Sequence, residues 1–176
     1  MKTIQLYFNN REAAINFILD KPGQKYTPGT FHKLRVEIKK LDALFDLIDC
    51  CSKNFSRDKY FKPFKLIFHH AGKVRELQLE EPMLKKYVAA NSLKSYRNDL
   101  KKQLLKEHDE FFNVANKKLI KKLKNIYRQV VSFLNNVDSK KGNIYIKKEK
   151  RLLKKLLTRN ICKCGMLNNF TSFASN

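Results

Sequence analysis

Three residues near position 35 have the side-chain types and the spacing of a phosphate-binding row. His32, Arg35 and Lys39 fall within about 60° of one another on an α-helix, because each residue advances by about 100°. Arginine presents a planar fork to two phosphate oxygens, lysine a mobile ammonium, and histidine a ring N–H donor. Lys40 flanks the row. The pattern predicts a helix face that binds repeated phosphate groups.

A further cation lies on a later segment, where Arg75 follows Gly72 by three residues and Glu76 comes next. A glycine in a helix permits the close approach of a neighbouring helix, since it has no Cβ. Arg75 joins the row on the first helix if the two helices fold back antiparallel. The alternative interpretation is a structural ion pair between Arg75 and Glu76.

The row needs a helix to position it, and the segment KPGQKYTPGT marks where that helix begins. Either Thr27 caps it with Pro28 at the first helical position, or Thr30 caps it after Gly29. From about residue 31 to 48, apolar residues recur at alternating spacings of four and three, which is typical of an amphipathic helix. These residues are Leu34, Ile38, Leu41, Phe45 and Ile48. The apolar stripe lies roughly opposite the row.

A second helix is predicted over about Lys59–Leu79, with Pro63 near its start and Pro82 just beyond its end. Its apolar stripe consists of Phe64, Ile67, Phe68, Ala71 and Val74. The linker SKNFSRDK between the two helices is short and polar, which suits an antiparallel helical hairpin.

The rest of the chain also has helical patterns. A short helix is predicted over Arg11–Leu19, and the apolar residues between Leu93 and Leu134 fit one long helix or two with a break near residues 113–116. The cluster NNVDSKKGN separates them from a last helix over about Ile144–Thr158.

The composition favours an all-α fold, an antiparallel helical bundle. The 176 residues are 43% hydrophobic and 11% aromatic, which is enough for a packed core, and five Gly and four Pro leave few helix breakers. We predict one helical domain over residues 1–160. The composition changes abruptly after it, and residues 161–176 are expected to form an irregular or disordered tail.

The charge of the chain indicates an anionic partner. Thirty-eight Lys and Arg against 16 Asp and Glu give a formal net charge of +22, which repels itself in the compact state unless an anion neutralises it. Nucleic acid, an anionic membrane and a phosphate polymer all meet this demand, and charge alone does not rank them.

The cysteines and the N-terminal segment bear on the location of the protein. Cys50 and Cys51 are adjacent, Cys162 and Cys164 are one residue apart, and neither pair has the two-residue spacing of a zinc ribbon. We interpret them as reduced thiols. Polar residues interrupt every apolar run near the N-terminus, so neither a signal peptide nor a membrane span is expected. A cytoplasmic protein without membrane insertion is the prediction.

Sequence motifs for catalysis and for metal binding are absent. A hydrolase or kinase needs a glycine loop around phosphates, or clustered carboxylates that hold a metal ion. His69 and His70 have no carboxylate or third donor at metal-ligand spacing. We therefore predict no enzymatic activity, no catalytic residue, no cofactor and no metal.

Nucleic-acid binding stays as the alternative function. The phenylalanines fall on the apolar stripes and not among the basic residues, so the aromatic platforms of single-strand binders are not evident. Basic runs outside the row, such as those at 117–124 and 147–151, are interpreted as a general electrostatic field.

Two strings of the sequence resemble the signatures of a known family. FHKLRVEIKKLDALFDLI looks like the first signature of the CHAD family, the conserved histidine α-helical domains, and it holds His32, Arg35, Lys39 and Lys40. HHAGKVRELQLEEPML resembles the second signature, a glycine followed by an Arg-Asp pair. Gly72 and Arg75 match that signature, and Glu76 replaces the aspartate.

The resemblance covers about residues 28–90, and it implies a helical bundle that binds inorganic polyphosphate without catalysis. The binding residues it implies are His32, Arg35, Lys39, Lys40 and Arg75. The family fold usually has two four-helix halves, each with a His-x-x-Arg helix, whereas His108 is followed three positions later by Phe111. We therefore expect one four-helix half with a partial second half, and a groove that is open or is completed by another copy in a homodimer.

Overall fold

The described part of the chain is built from α-helices, which confirms the all-α bundle. The computed structural model describes residues 2–21, 26–87 and 94–171, and their side chains except at positions 2, 85, 87, 139 and 159–171. These ranges contain six helices and no strand: α1 (Lys2–Leu19), α2 (Pro28–Cys51), α3 (Arg57–Tyr87), α4 (Lys94–Val114), α5 (Lys117–Leu134) and α6 (Ser139–Thr171). Within these ranges, no helix has both the length and the apolar composition needed to cross a membrane.

The chain groups into two compact units, residues 1–137 with α1 to α5 and residues 138–176 with α6. The predicted domain boundary after residue 160 lies inside the second unit. Asp138 begins α6, because its Oδ1 accepts the backbone N–H of Lys140 at 2.8 Å. The helix includes residues 161–171, where an irregular tail is predicted and where no proline interrupts the sequence. Residues 172–176 lie outside the described part.

The start of α2 settles which threonine caps it. Thr27 is the N-cap and Pro28 is the first helical residue. The Thr27 hydroxyl accepts the backbone N–H of Thr30 at 3.3 Å, and the Thr30 hydroxyl accepts the backbone N–H of Thr27 at 3.3 Å. Two of the N–H groups left open at a helix start are satisfied in this way. Of the preceding loop, residues 22–25 lie outside the described part.

Helices α2 and α3 form the predicted antiparallel hairpin. Arg57 stabilises the end of the hairpin at which the two helices are connected. The Arg57 backbone N–H donates to Asp49 Oδ1 at 3.0 Å, and its guanidinium lies 2.6 Å from both Asp42 and Asp46 of α2. Arg57 also pairs with the exposed Asp58 at 3.0 Å. The three carboxylates of α2 fix where α3 begins relative to the end of α2.

The prediction that α3 ends before Pro82 is wrong, because the helix continues to Tyr87 with Pro82 in its interior. A proline removes one backbone hydrogen bond of the helix. The residues around it, Glu80, Glu81, Met83 and Leu84, favour helix. The neighbouring helix α4 also holds this end of α3, since the Tyr96 hydroxyl donates a hydrogen bond to the Glu80 carboxylate.

The first unit is a bundle in which α2 packs on α1 and α3, while α3 also contacts α4 and α5, and α5 contacts α1. Its core is rich in aromatic rings. Phe45 of α2 meets Phe55, Phe61 and Phe64 edge to face, with ring centres 5.5 to 6.1 Å apart. The apolar stripe predicted for α2 is fully buried: Leu34, Ile38, Leu41, Phe45 and Ile48.

The segment from residue 94 to residue 134 forms two helices. Helix α4 ends at Val114, and Asn116 caps α5 by accepting the backbone N–H of Leu119 on its side-chain oxygen at 3.0 Å. The break lies within the predicted interval at residues 113–116. An asparagine cap competes with continuation of the helix, since its side chain replaces a backbone carbonyl as the acceptor.

Tyr127 of α5 buries a hydroxyl that has no hydrogen-bond partner among the described residues. Its ring packs between Phe8 of α1 and Phe64 of α3, and burial, with the nearby Glu12 carboxylate adding to it, raises the pKa of Tyr127. An unsatisfied buried hydroxyl costs about 1–3 kcal/mol. We expect Tyr127→Phe to raise the free energy of unfolding by about 1 kcal/mol, as measured in urea.

The control is Tyr7→Phe, which removes a hydroxyl from an exposed tyrosine of α1. This change should alter the free energy of unfolding by less than about 0.5 kcal/mol. A loss of stability in Tyr127→Phe would mean that its hydroxyl makes a stabilising contact.

Candidate functional site

Arg35 lies across α3 at the position of Gly72. Its Nη1 donates to the Phe68 carbonyl at 3.0 Å, and its guanidinium carbon lies 4.0 Å from the centre of the Phe68 ring. A Cβ on Gly72 would stand 2.1 Å from Nη1, which is too close for two nonbonded atoms. The glycine therefore provides the space through which the guanidinium reaches the outer face of the hairpin.

The register of the hairpin places Lys39, and by helical spacing His32 and Arg75, on the face where Arg35 lies. Lys39 is exposed, and its Nζ lies 5.8 Å from the centre of the Phe68 ring. Since Arg35 lies over Gly72 and Lys39 near Phe68, the antiparallel register sets His32 level with Arg75. His32 is exposed and Arg75 is half-buried. We call these four residues, His32, Arg35, Lys39 and Arg75, the basic face.

The charges of the basic face are not neutralised by the protein. Within the described ranges, none of its four residues forms an ion pair, and Arg35 uses one donor for the Phe68 carbonyl and keeps the others free. Four other cations of the same helices and of α1 do have carboxylate partners, Arg11, Lys40, Arg57 and Lys73, whereas Lys33, Lys62 and Lys65 have none among the described residues either. Of the five residues that the sequence predicts for phosphate binding, four thus have no carboxylate partner in the described part of the chain.

Lys40, the fifth predicted binding residue, lies on another side of α2. Its Nζ pairs with Glu37 at 2.8 Å, and Glu37 also holds Arg11 of α1 at 2.6 Å. Lys40 lines a cavity together with Ile4 and Tyr7 of α1. Adjacent helix residues point about 100° apart, which separates Lys40 from Lys39. The structure therefore does not bring Lys40 to the basic face.

Phe68, predicted on the apolar stripe of α3, packs against the core and is half-buried, and its ring also contacts cations. Arg35 covers its ring, and a cavity of about 510 Å³ begins beside it, lined by Lys62 and Lys65 and also by the carboxylates of Asp42 and Asp58. Lys62 and Lys65 were not predicted as neighbours of the basic face. The available signal was helical spacing, since Lys65 precedes Phe68 by three residues and Gly72 by seven.

The face of α3 that packs against α4 carries different residues from the basic face. Glu76 makes no ion pair with Arg75 within the described part; it lines a groove of about 450 Å³ between α3 and α4. In the same region, His70 of α3 meets Glu107 and Glu110 of α4. Two carboxylates therefore do lie near His70 in the folded chain. They come from a helix more than 30 positions away, so the residue spacing around His70 does not reveal them.

His108 belongs to the core and not to the basic face. Its ring packs against Phe31 of α2 at 5.6 Å and Phe112 of α4 at 4.8 Å between ring centres. Burial lowers the pKa of His108, and the nearby Asp109 only partly opposes this effect. The residue is a packing histidine whose protonation the fold disfavours.

Replacing Gly72 by alanine tests the position of the Arg35 side chain without a large expected change in the stability of the fold. The new methyl must displace the guanidinium, which is the end of a flexible side chain, and the hydrogen bond to Phe68 is lost. Alanine gains about 1 kcal/mol of helix propensity, which offsets a hydrogen bond of similar size. We expect thermal stability within about 1 kcal/mol of the parent chain and a binding loss for phosphate polymers of about 10-fold.

The control is Gly29→Ala at the start of α2, where the nearest atom to an added Cβ is 3.7 Å away. This variant should bind as the parent chain does. Equal binding by Gly72→Ala would mean that the position of Arg35 over α3 has no part in anion binding.

Comparison of the chain with protein-family models, with curated proteins and with solved structures finds no match.

Proposed function

We propose that this protein binds inorganic polyphosphate through the basic face of the α2/α3 hairpin. The observation that supports the proposal most is the row of unpaired cations, since His32, Arg35, Lys39 and Arg75 have no carboxylate partner in the described part of the chain. An unneutralised row of this kind attracts an anion with repeated charges. The resemblance of the two signature strings to the CHAD family points to the same ligand.

The dimensions of the face suit a linear polymer. From His32 to Lys39 the helix rises by about 10 Å, so an extended chain of phosphates along α2 meets several donors in succession. Arg35 offers fork-like N–H donors, and Lys39 and His32 offer single ones. Binding then releases counterions from the polymer, and its affinity falls steeply as salt increases.

The proposal includes no catalytic step. The groups of the basic face bind and orient phosphate oxygens, and hydrolysis or transfer also requires an activated nucleophile. We propose a binding module, in the cytoplasm as the thiols suggest. The four-helix half and partial second half implied by the family resemblance stay a prediction.

Nucleic-acid binding is the second candidate function, supported by exposed lysines outside the hairpin. Helix α5 alone carries Lys117, Lys118, Lys121, Lys122 and Lys124 on its exposed surface, and any polyanion is attracted to such a field. On the basic face the only described aromatic ring near the cations, Phe68, is covered by Arg35. It is therefore not open for base stacking, which favours the phosphate polymer.

The deciding experiment is a titration of the full chain with long-chain polyphosphate, duplex DNA and RNA at equal charge concentration and several salt concentrations. We expect polyphosphate to bind at least about 10-fold more tightly than either nucleic acid at every salt concentration, a difference of about 1.4 kcal/mol. Equal affinities for all three would reduce the function to general polyanion binding. The second candidate would be favoured if material that absorbs at the nucleic-acid maximum copurifies with the protein and is not displaced by polyphosphate.

Completion of the groove by a second copy in a homodimer is the alternative to an open groove, because one copy supplies only one His-x-x-Arg helix. Light scattering with and without polyphosphate tests it. A mass that doubles when polyphosphate is added supports a groove completed by a second copy, and a constant monomer mass at saturation supports an open one.

A further inference from the structure

A second cluster of chemically active side chains lies between α3 and α4, on a different side of α3 from Phe68. His70 comes from α3, and Glu107 and Glu110 come from α4. One potential ligand atom from each lies within 4.8 Å of the other two. The two glutamates are three residues apart, which places them one above the other on the helix surface that faces α3.

The histidine of this cluster has an unmet bonding capacity. His70 Nδ1 is buried and has no hydrogen-bond partner in the described part of the chain. Buried ring nitrogens are almost always bonded, and this nitrogen is available to a ligand. Glu107 Oε2 is likewise buried without a hydrogen bond of good geometry, although the Lys73 ammonium lies 3.3 Å from it.

Lys73 is the cation that currently balances the two carboxylates. Its Nζ lies 3.3 Å from Glu107 Oε2 and 3.8 Å from Glu110 Oε2. The ammonium pairs with the carboxylates, and within the described part of the chain it makes no hydrogen bond to His70. A metal ion would satisfy all three groups at once, and Lys73, which is 38% exposed, can swing outward into the adjoining groove.

We propose that His70, Glu107 and Glu110 bind a divalent transition-metal ion of the zinc type. One imidazole with two carboxylates is a ligand set for such ions, whereas Mg²⁺ and Ca²⁺ prefer oxygen ligands alone. Ligand atoms on a tetrahedral zinc ion are about 3.4 Å apart, given bonds of about 2.1 Å. Metal binding would therefore require the glutamate side chains to rotate and bring the ligand atoms, now within 4.8 Å of one another, closer together.

The surroundings of the cluster fit a site with an open coordination position. Two packed helices hold the three ligands, and the buried Phe111 beside Glu110 fixes this part of α4. The groove of about 450 Å³ that Lys73 and Glu107 line gives access from solvent. Three protein ligands leave one position for water or for an anion. The site is independent of the basic face and of its proposed ligand.

The test is a titration of the metal-free full chain with Co²⁺, read by visible absorption, followed by displacement with Zn²⁺. Cobalt bound by nitrogen and oxygen gives weak visible bands, whereas binding by the cysteines adds intense bands in the near ultraviolet. We expect the weak bands, their loss when zinc is added, and no displacement by Mg²⁺. His70→Ala and Glu110→Gln should each weaken the cobalt affinity by at least about 10-fold.

Two further variants separate a metal site from a structural ion pair. His69→Ala removes the adjacent histidine, which is exposed, and should leave cobalt affinity unchanged. Lys73→Gln removes the competing ammonium and should raise cobalt affinity severalfold, while helix content by circular dichroism stays unchanged. Equal cobalt affinity in His70→Ala and His69→Ala, or cobalt bands from thiolates alone, would overturn the proposal.

Discussion

Replacing Arg35 and Lys39 together by alanine is expected to weaken polyphosphate binding by about 100-fold, because each lost hydrogen bond to a charged group removes about 1.5 kcal/mol. Both side chains are at the centre of the basic face beside Phe68, and neither has a carboxylate partner within the described ranges. Fluorescence anisotropy with end-labelled polyphosphate measures the change. The slope of log affinity against log salt should also decrease, since fewer counterions are released.

The matched control is the double change of Lys121 and Lys122 to alanine. Both lysines are exposed on α5, so this variant loses the same formal charge from a site outside the basic face. We expect its binding to weaken by less than about 3-fold, as for a general field contribution screened by salt. Equal losses in the two variants would show that net charge, and not the face, determines binding.

Arg35 also contributes to packing, so binding and stability have to be measured together. Arg35→Lys keeps the charge but loses the fork and the contact with the Phe68 ring. It is expected to bind with an affinity between those of the parent chain and Arg35→Ala. If Arg35→Lys binds like the parent chain, the charge at this position is sufficient and the fork is dispensable.

Phe45→Ala is expected to lower the free energy of unfolding by about 4 kcal/mol, within the range for phenylalanine truncation in a core. Phe45 has no exposed surface and meets three other rings edge to face. The change leaves a cavity where α2, α3 and their connection meet. Because domains are stable by only about 5–15 kcal/mol, it removes much of the stability. Chemical denaturation followed by circular dichroism gives the value.

Phe17→Ala is the control, because Phe17 is 68% exposed on α1. Its truncation should change the free energy of unfolding by less than about 0.5 kcal/mol. A loss of about 1 kcal/mol or less in Phe45→Ala would contradict the aromatic core described for the hairpin.

Local patterns in the sequence were sufficient to predict the hairpin and the composition of its two surfaces. The apolar residues of α2 recur with the helical period and are all buried, and the basic row was placed opposite them by the same period. The threonine cap of α2 and the break before α5 could also be predicted from the sequence, since capping depends on residues three positions apart. These features depend on neighbours in the chain.

The ends of the helices were less predictable. The sequence predicts that α3 ends before Pro82, yet the helix continues through this residue. The cost of an internal proline is finite, and contacts with α4, such as the one between Tyr96 and Glu80, are not visible in the local sequence. The same reason applies to α1, which begins at Lys2 and not at Arg11.

By itself, the sequence determined a basic helical chain with a row of basic side chains on one face, because helix periodicity and charge are properties of nearby residues. Only the tertiary structure decided which cations stay unpaired, that Arg35 lies over Gly72, and that Lys40 pairs beside α1. It also brought His70 to Glu107 and Glu110. These contacts join residues of different helices or depend on which face a neighbouring helix covers, and packing sets them.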